Sequence, residues 1–248
     1  MSCRTSGGSY CRFKENLEEF LLDYLVKILK DMVEIFGRYW KSFLVEGLFN
    51  TLYLSFIAVF FGTILGAVIC LIKMSKVKPL AWLATAFVEI IRGTPMLLQL
   101  YLGVFVVPLI LPFLGASEFI SVAVTLVLNS AAYVSEIIRS GIEAVDKGQT
   151  EAARSLGLSS ATTMTEIVFP QAVKNILPAL GNEFITVIKE TSLAATFFVG
   201  ELMTIYKLVV GNTHATIACF LIVGIIYFVL NFILSKLLKI VERKMKYA

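Results

Sequence analysis

The chain has 248 residues, of which 58% are hydrophobic and 16% charged, with a formal net charge of +4. Soluble domains run nearer to about 45–50% apolar and about 25% charged. The excess is gathered in long blocks, so composition excludes an ordinary soluble domain and points to one all-α integral membrane domain. The small net charge makes no case for nucleic acid.

Residues 1–12 are rich in Ser, Gly and Cys without periodicity and are expected to be disordered. Residues 1–16 hold no apolar core of a signal peptide, so the spans are expected to act as their own insertion signals. From Phe13 to Phe36 the pattern changes: Leu17, Phe20, Leu21, Tyr24, Leu25, Ile28, Met32 and Phe36 recur at three- and four-residue steps. Glu18, Glu19, Asp23, Lys27, Lys30 and Asp31 fill positions between them. This predicts an amphipathic helix over residues 13–42. Each charge at the centre of a bilayer costs roughly 2.5–3.5 kcal/mol, so the segment reads as an interfacial helix or as one packed in a partner's groove.

Five hydrophobic blocks follow, in a membrane domain expected over residues 43–240. Leu48–Ile72 is uncharged and long enough for about 37 Å of helix. Leu80–Pro112 is interrupted by Glu89, Arg92, Gly93 and Pro95. Phe119–Ile138 carries Asn129, Ser130, Tyr133 and Glu136, and Ile176–Tyr206 carries Asn182, Glu183, Lys189, Glu190 and Glu201. Thr216–Leu238 is almost purely aliphatic and aromatic. Each block is expected to be one span, followed by a basic tail at 241–248.

The basic residues set the orientation. Lys73, Lys76 and Lys78 lie between spans one and two, and Arg139, Lys147, Arg154 and Lys174 between three and four. Lys236, Lys239, Arg243, Lys244 and Lys246 close the chain, whereas the opposite loops, near 113–118 and 207–215, hold only Lys207. The expected arrangement is a multi-pass protein of the cell membrane, with its N-terminus outside and its C-terminus in the cytoplasm.

The segment at about 147–170 is then cytoplasmic. Thr150 can cap a short helix with Glu151 in its first turn, Gly157 can end it in the left-handed conformation, and Ser159 or Ser160 can cap the next. Ala152, Ala153 and Ala161 would let a partner approach closely, and Pro170 is expected to limit the second helix. On spacing alone, a coupling surface and a plain interhelical loop both fit.

Glu151-Ala152-Ala153, then Gly157, then Ile167 and Pro170 at the observed spacing resemble the signature of permease subunits of binding-protein-dependent ABC importers. Phe169 stands where that family more often has Leu. Three further runs resemble its polar amino-acid branch: Glu89 to Gln99, Asn129 to Glu136, and Leu180 to Ile185 with Lys189-Glu190-Thr191-Ser192. The resemblance covers roughly residues 45–240. It implies a separate ATP-binding cassette subunit that binds ATP and Mg and grips Glu151, Ala152, Ala153, Gly157 and Pro170. It also implies a second permease subunit, identical or not, and an extracytoplasmic solute-binding protein. The sequence contains no Gly-Lys dipeptide and so no phosphate-cradling P-loop. No cofactor, metal or catalytic residue is expected in this chain: Cys3, Cys11, Cys70 and Cys219 lack metal-ligand spacing, and His214 is the sole histidine.

Ionisable groups at membrane depth are candidate pathway residues. Asn129, Tyr133, Glu136, Glu183, Lys189 and Glu190 could supply donors and acceptors to a zwitterionic amino acid. Tyr133 and Glu136 are three apart on one helical face, and Glu183 and Glu190 are nearly aligned. Equally, such charges could neutralise one another, Arg92 with Glu89 and Lys189 with Glu190 or Glu183. The reading is an amino-acid permease subunit coupled to a separate ATPase; the alternative is an ion-gradient-driven secondary transporter or channel.

Overall fold

The computed structural model describes residues 8–110, 112 and 117–247, and every regular element among them is helical. α1 (Gly8–Lys41) runs through a π-helical turn at Ser42–Gly47 into α2 (Leu48–Lys73). The boundary expected near residue 42 is therefore no interruption: the helix is continuous through the wider turn. The expected disordered stretch lies partly outside the described residues, and its remainder, from Gly8, is helical.

α3 (Lys78–Gly93) and α4 (Met96–Ile110) form one broken span, bent by 115°. The break has a local cause. Pro95 lacks an amide hydrogen and pushes the residue before it out of the helical region, and Thr94 is accordingly extended. The carbonyls left open there are met by Gln99, whose Nε2 lies 2.7 Å from Ile91 O and 3.0 Å from Thr94 O.

α5 (Glu118–Glu143) packs along α2 through small residues. A Cβ on Gly62 would lie 2.8 Å from Ser130 Oγ, and one on Gly66 would lie 2.8 Å from Ala131 O. Glycines one turn apart let helix backbones approach closely, a recurring solution in membrane helices, where hydrocarbon provides no hydrophobic drive between them. Gly103 of α4 does the same against Thr125.

α6 (Lys147–Ser155) and the single turn α7 (Ser160–Thr162) form the loop that follows. A second π-helical turn, Thr163–Val168, leads into α8 (Phe169–Glu190). Pro170 does not stop the helix, as the sequence had implied. It occupies the first turn of α8, where a missing amide hydrogen is tolerated, directly after the π-helical turn that ends at Val168.

A 3₁₀ stretch, Thr191–Phe197, then precedes α9 (Leu202–Thr213), and the pair is bent by 46°. α10 (Thr216–Tyr247) stays helical through the segment expected to be a tail. Three helical stretches are long and apolar enough to cross a bilayer, and counting each bent pair as one span gives up to five, the number expected from the sequence.

Candidate functional site

The loop after α5 is built by local capping. Asp146, not Thr150, is the cap of α6: its Oδ1 accepts from Gly148 N at 2.6 Å. Asp146 is the residue with extended backbone before the first helical turn, and Thr150 already lies inside the helix. Gly157 ends α6 with φ +85, in the left-handed region that only glycine enters freely. Arg154 Nη1 donates to Leu158 O at 2.6 Å and ties the turn together. Ser159 caps α7 by accepting from Thr162 N at 3.1 Å.

Burial divides this loop into an anchored and a presented side. Ala153, Val145 and Val168 are buried, with Val145 and Val168 packed on Ala172 and Ile176 of α8. Glu151, Ala152 and Ala161 are exposed, and Leu156 at the apex is 84% exposed. Of the alanines expected to admit a partner, Ala153 faces inward instead. Leu156 was not singled out in the sequence, although an aliphatic residue immediately before a helix-ending glycine is a readable signal. An apolar residue so fully presented, on a loop whose backbone is well satisfied, is suited to insertion into a receiving groove.

Groups at membrane depth fall into three clusters. In the first, Asn129 is buried and its Nδ2 donates to Gln99 Oε1 at 2.8 Å. One amide thus braces the broken span against α5. The second lies about 10 Å along α5 toward the loop, at 1.5 Å per residue. There Glu136 pairs with Lys73 of α2, with Arg139 at 2.9 Å and with Arg92 at 3.7 Å. Arg139 also pairs with Glu143 at 2.6 Å, and Arg92 lies 5.5 Å from the centre of the Tyr133 ring. Arg92 is thus joined to Glu136 rather than to Glu89. The sequence hid Lys73, whose partner is 63 residues away.

The third cluster is acidic. Glu183 is buried at 8% exposure, beside Ser130 and one position from Asn129 on α5. Glu190 follows two turns later on α8 and is half-buried, whereas Lys189 is exposed. Among the described residues no cation lies within 4.0 Å of either carboxylate. Counted from Glu143 along α5 and from Phe169 along α8, Ser130 and Glu183 both sit about 20 Å from the loop. That is deep in a hydrocarbon layer about 30 Å thick.

Glu201 has a different task. It is fully buried and caps α9, accepting from Met203 N at 2.6 Å and Thr204 N at 2.7 Å. Asn50 donates to Gly200 O at 2.9 Å, and Thr51 Oγ1 accepts from Leu202 N at 3.1 Å. The bend of the fourth span is thereby fastened to α2.

Broken spans with polar groups at mid-depth, joined to a capped loop with a protruding apolar tip, define a membrane transport subunit. The chain belongs to the family of inner membrane components of binding-protein-dependent transport systems, which it matches over residues 48–247. It is 43% identical over 204 residues to the arginine transport system permease protein ArtQ of Bacillus subtilis, covering 82% of this chain and 93% of that protein. It is 36% identical over 210 residues to the nopaline transport system permease protein NocM of Agrobacterium fabrum, covering 78% and 83%. A crystal structure described as an amino acid ABC transporter with histidines is 41% identical, with a TM-score of 0.79 over 84% of this chain and 96% of that one. An inward-facing MetNI methionine ABC transporter has the same fold, with a TM-score of 0.65 at 18% identity.

Proposed function

We propose that this permease carries an amino acid with a cationic side chain, and that ATP hydrolysis in a separate subunit drives the import. The observation that carries the substrate class is Glu183, a carboxylate at mid-depth with no cation beside it among the described residues. A buried carboxylate that stays charged needs a partner, and a guanidinium or ammonium group on the substrate supplies one. Glu190, two turns away, extends the acidic track. Glu136 is the opposite case, since three protein cations already surround it. Asn129 serves as a brace, because its amide is engaged with Gln99. Relatives named for arginine and nopaline and the structure described with histidines agree with this class, whereas several relatives 36–40% identical are named for glutamine transport, so the charge of the side chain rests on Glu183.

In this reading the ATP-binding cassette subunit, which holds ATP and Mg, receives the loop at Glu151, Ala152, Leu156 and Gly157. A second permease subunit completes the pathway, and a solute-binding protein delivers substrate from outside. The basic residues beside Lys73 to Lys78, in the loop after α5 and near the end of α10 support a cytoplasmic loop and C-terminus, with the N-terminus outside. Closure of the ATPase pulls on the loop, and α8, continuous with it, carries the motion to Glu183. Only a difference in substrate affinity between the outward and inward states can couple the two events.

The deciding experiment is substrate-stimulated ATP hydrolysis by the reconstituted complex across an amino-acid panel, with the cognate binding protein present. Arginine, lysine, ornithine or histidine should stimulate. Stimulation confined to glutamine, or to other uncharged or acidic amino acids, would overturn the assignment.

A further inference from the structure

The loop after α5 contains a cleft of about 670 Å³. One wall is α6, where Lys147 and Arg154 lie two turns apart on one face. The other is the π-helical turn that leads into α8, with Met164 and Val168. Buried Val145 and Val168 make the inner surface apolar. Thr163 lines the cleft as well; it is 2% exposed, and its hydroxyl has no hydrogen-bond partner. Lys147 and Arg154 are exposed, and neither takes part in an ion pair among the described residues. Glu143, also at the cleft, is already held by Arg139 at 2.6 Å.

We propose that this cleft receives a segment of the ATP-binding cassette subunit that carries an acidic side chain next to an apolar one. Three observations select this occupant. The first is charge: Lys147 and Arg154 are unpaired at the cleft, and a carboxylate is the group that complements them. The second is the inner surface, where Val145, Val168 and the exposed Met164 offer apolar contact beside the cations and the Thr163 hydroxyl is left without a partner. A bare anion would leave that apolar surface uncovered. The third is continuity. Arg154 is two residues from Leu156, within about 7 Å along the chain, so a protein surface that grips the tip also covers the cleft at Arg154. The inference rests on the reading that the ATPase subunit receives this loop, and it adds the reverse contact: Leu156 enters the partner, and the partner enters the loop. A tip seated in a groove transmits a push. A filled cleft also transmits a pull, because one wall is α6 and the other runs directly into α8, the helix that bears Glu183.

The test uses the purified complex of the full chain with its cognate ATPase subunit in lipid nanodiscs. A water-soluble carbodiimide joins an amine to a carboxylate only where the two are in contact. Peptide mass spectrometry should find Lys147 joined to an Asp or Glu of the ATPase subunit. On irradiation, Met164→p-benzoylphenylalanine should couple to the same stretch of that subunit. Lys147→Glu should raise the ATPase-subunit concentration for half-maximal reassembly about tenfold or more, because opposed like charges are strongly unfavourable at an interface. Changing the joined carboxylate to lysine should then restore assembly. Leu156→p-benzoylphenylalanine separates this contact from the partner assignment of the loop. If Leu156 couples to the ATPase subunit while Lys147 forms no amide with it, or Met164 couples only to lipid, the cleft is overturned as a docking site and the loop keeps its partner. If none of the three positions reaches the ATPase subunit, the partner assignment falls as well. Reassembly unchanged by Lys147→Glu would also overturn the contact.

Discussion

The side-chain amide of Asn129 donates to Oε1 of Gln99 across 2.8 Å, joining the middle of α5 to the first turn of α4. Through its own Nε2, Gln99 also holds the open carbonyls of Ile91 and Thr94. A single side chain therefore closes the broken helix and fixes it to its neighbour. Asn129→Ala should destabilise the protein by about 1–3 kcal/mol, the usual loss when a buried polar group is left without its partner. Gln99→Ala should cost more, because it also exposes the break. The double variant should be little worse than Gln99→Ala alone, a coupling of about 1 kcal/mol or more. Thermal unfolding in detergent measures all three; strictly additive losses would show that the bond contributes nothing.

What could be read in advance follows from how local the cause is. The α2 span was legible because an uncharged run from Leu48 to Ile72 has one stable solution in a bilayer. Gly157 was legible because a helix-ending turn has a residue-level signature. The broken second span was half legible: Pro95 announced the break, but not its 115° angle, which depends on how α4 packs against α5 at Gly103. Glu201 looked like another charge at membrane depth. Only the bend that points Met203 N and Thr204 N at it makes it a cap. Lys73 with Glu136, and Asn129 with Gln99, were invisible because tertiary packing brings together residues that no periodicity relates.

The turn at Gly157 separates strain from bulk. Its φ of +85 is unfavourable for side-chain-bearing residues, but the space around it is open. Gly157→Val should therefore add backbone strain of at least about 1–2 kcal/mol and reshape the presented loop while leaving the spans folded. Membrane abundance should hold while substrate-stimulated ATP hydrolysis and uptake fall together. Gly157→Asn, which tolerates the left-handed region, should retain most of both. Undiminished uptake in the Val variant would remove the loop from the coupling path.

Glu201 should matter for stability rather than selectivity. Glu201→Ala removes a helix cap, worth about 0.5–2 kcal/mol, and strands the buried amide hydrogen of Thr204 and the half-buried one of Met203. Glu201→Gln keeps an acceptor for the cap and should lose less. Both variants should lower the unfolding temperature, with the amino-acid profile of the remaining activity unchanged. A shifted profile at normal stability would instead put Glu201 in contact with substrate.

Glu183 and Glu190 can be told apart by burial. Glu183 is the more enclosed, facing α5 at Ser130, whereas Glu190 is half-buried at the end of α8 beside the exposed Lys189. If the cationic group of the substrate rests on Glu183, Glu183→Gln removes an attraction between desolvated charges, typically about 2–5 kcal/mol when one partner of a buried pair is lost. Stimulation by arginine should then be lost at every accessible concentration. The folded protein should tolerate this change, because the empty site loses a costly unpaired charge, and its unfolding temperature should stay level or rise. Glu190→Gln should raise the half-maximal substrate concentration modestly, since a more hydrated charge is better screened. A purely structural Glu183 gives the opposite result: a fall in unfolding temperature with the arginine response of the surviving protein intact.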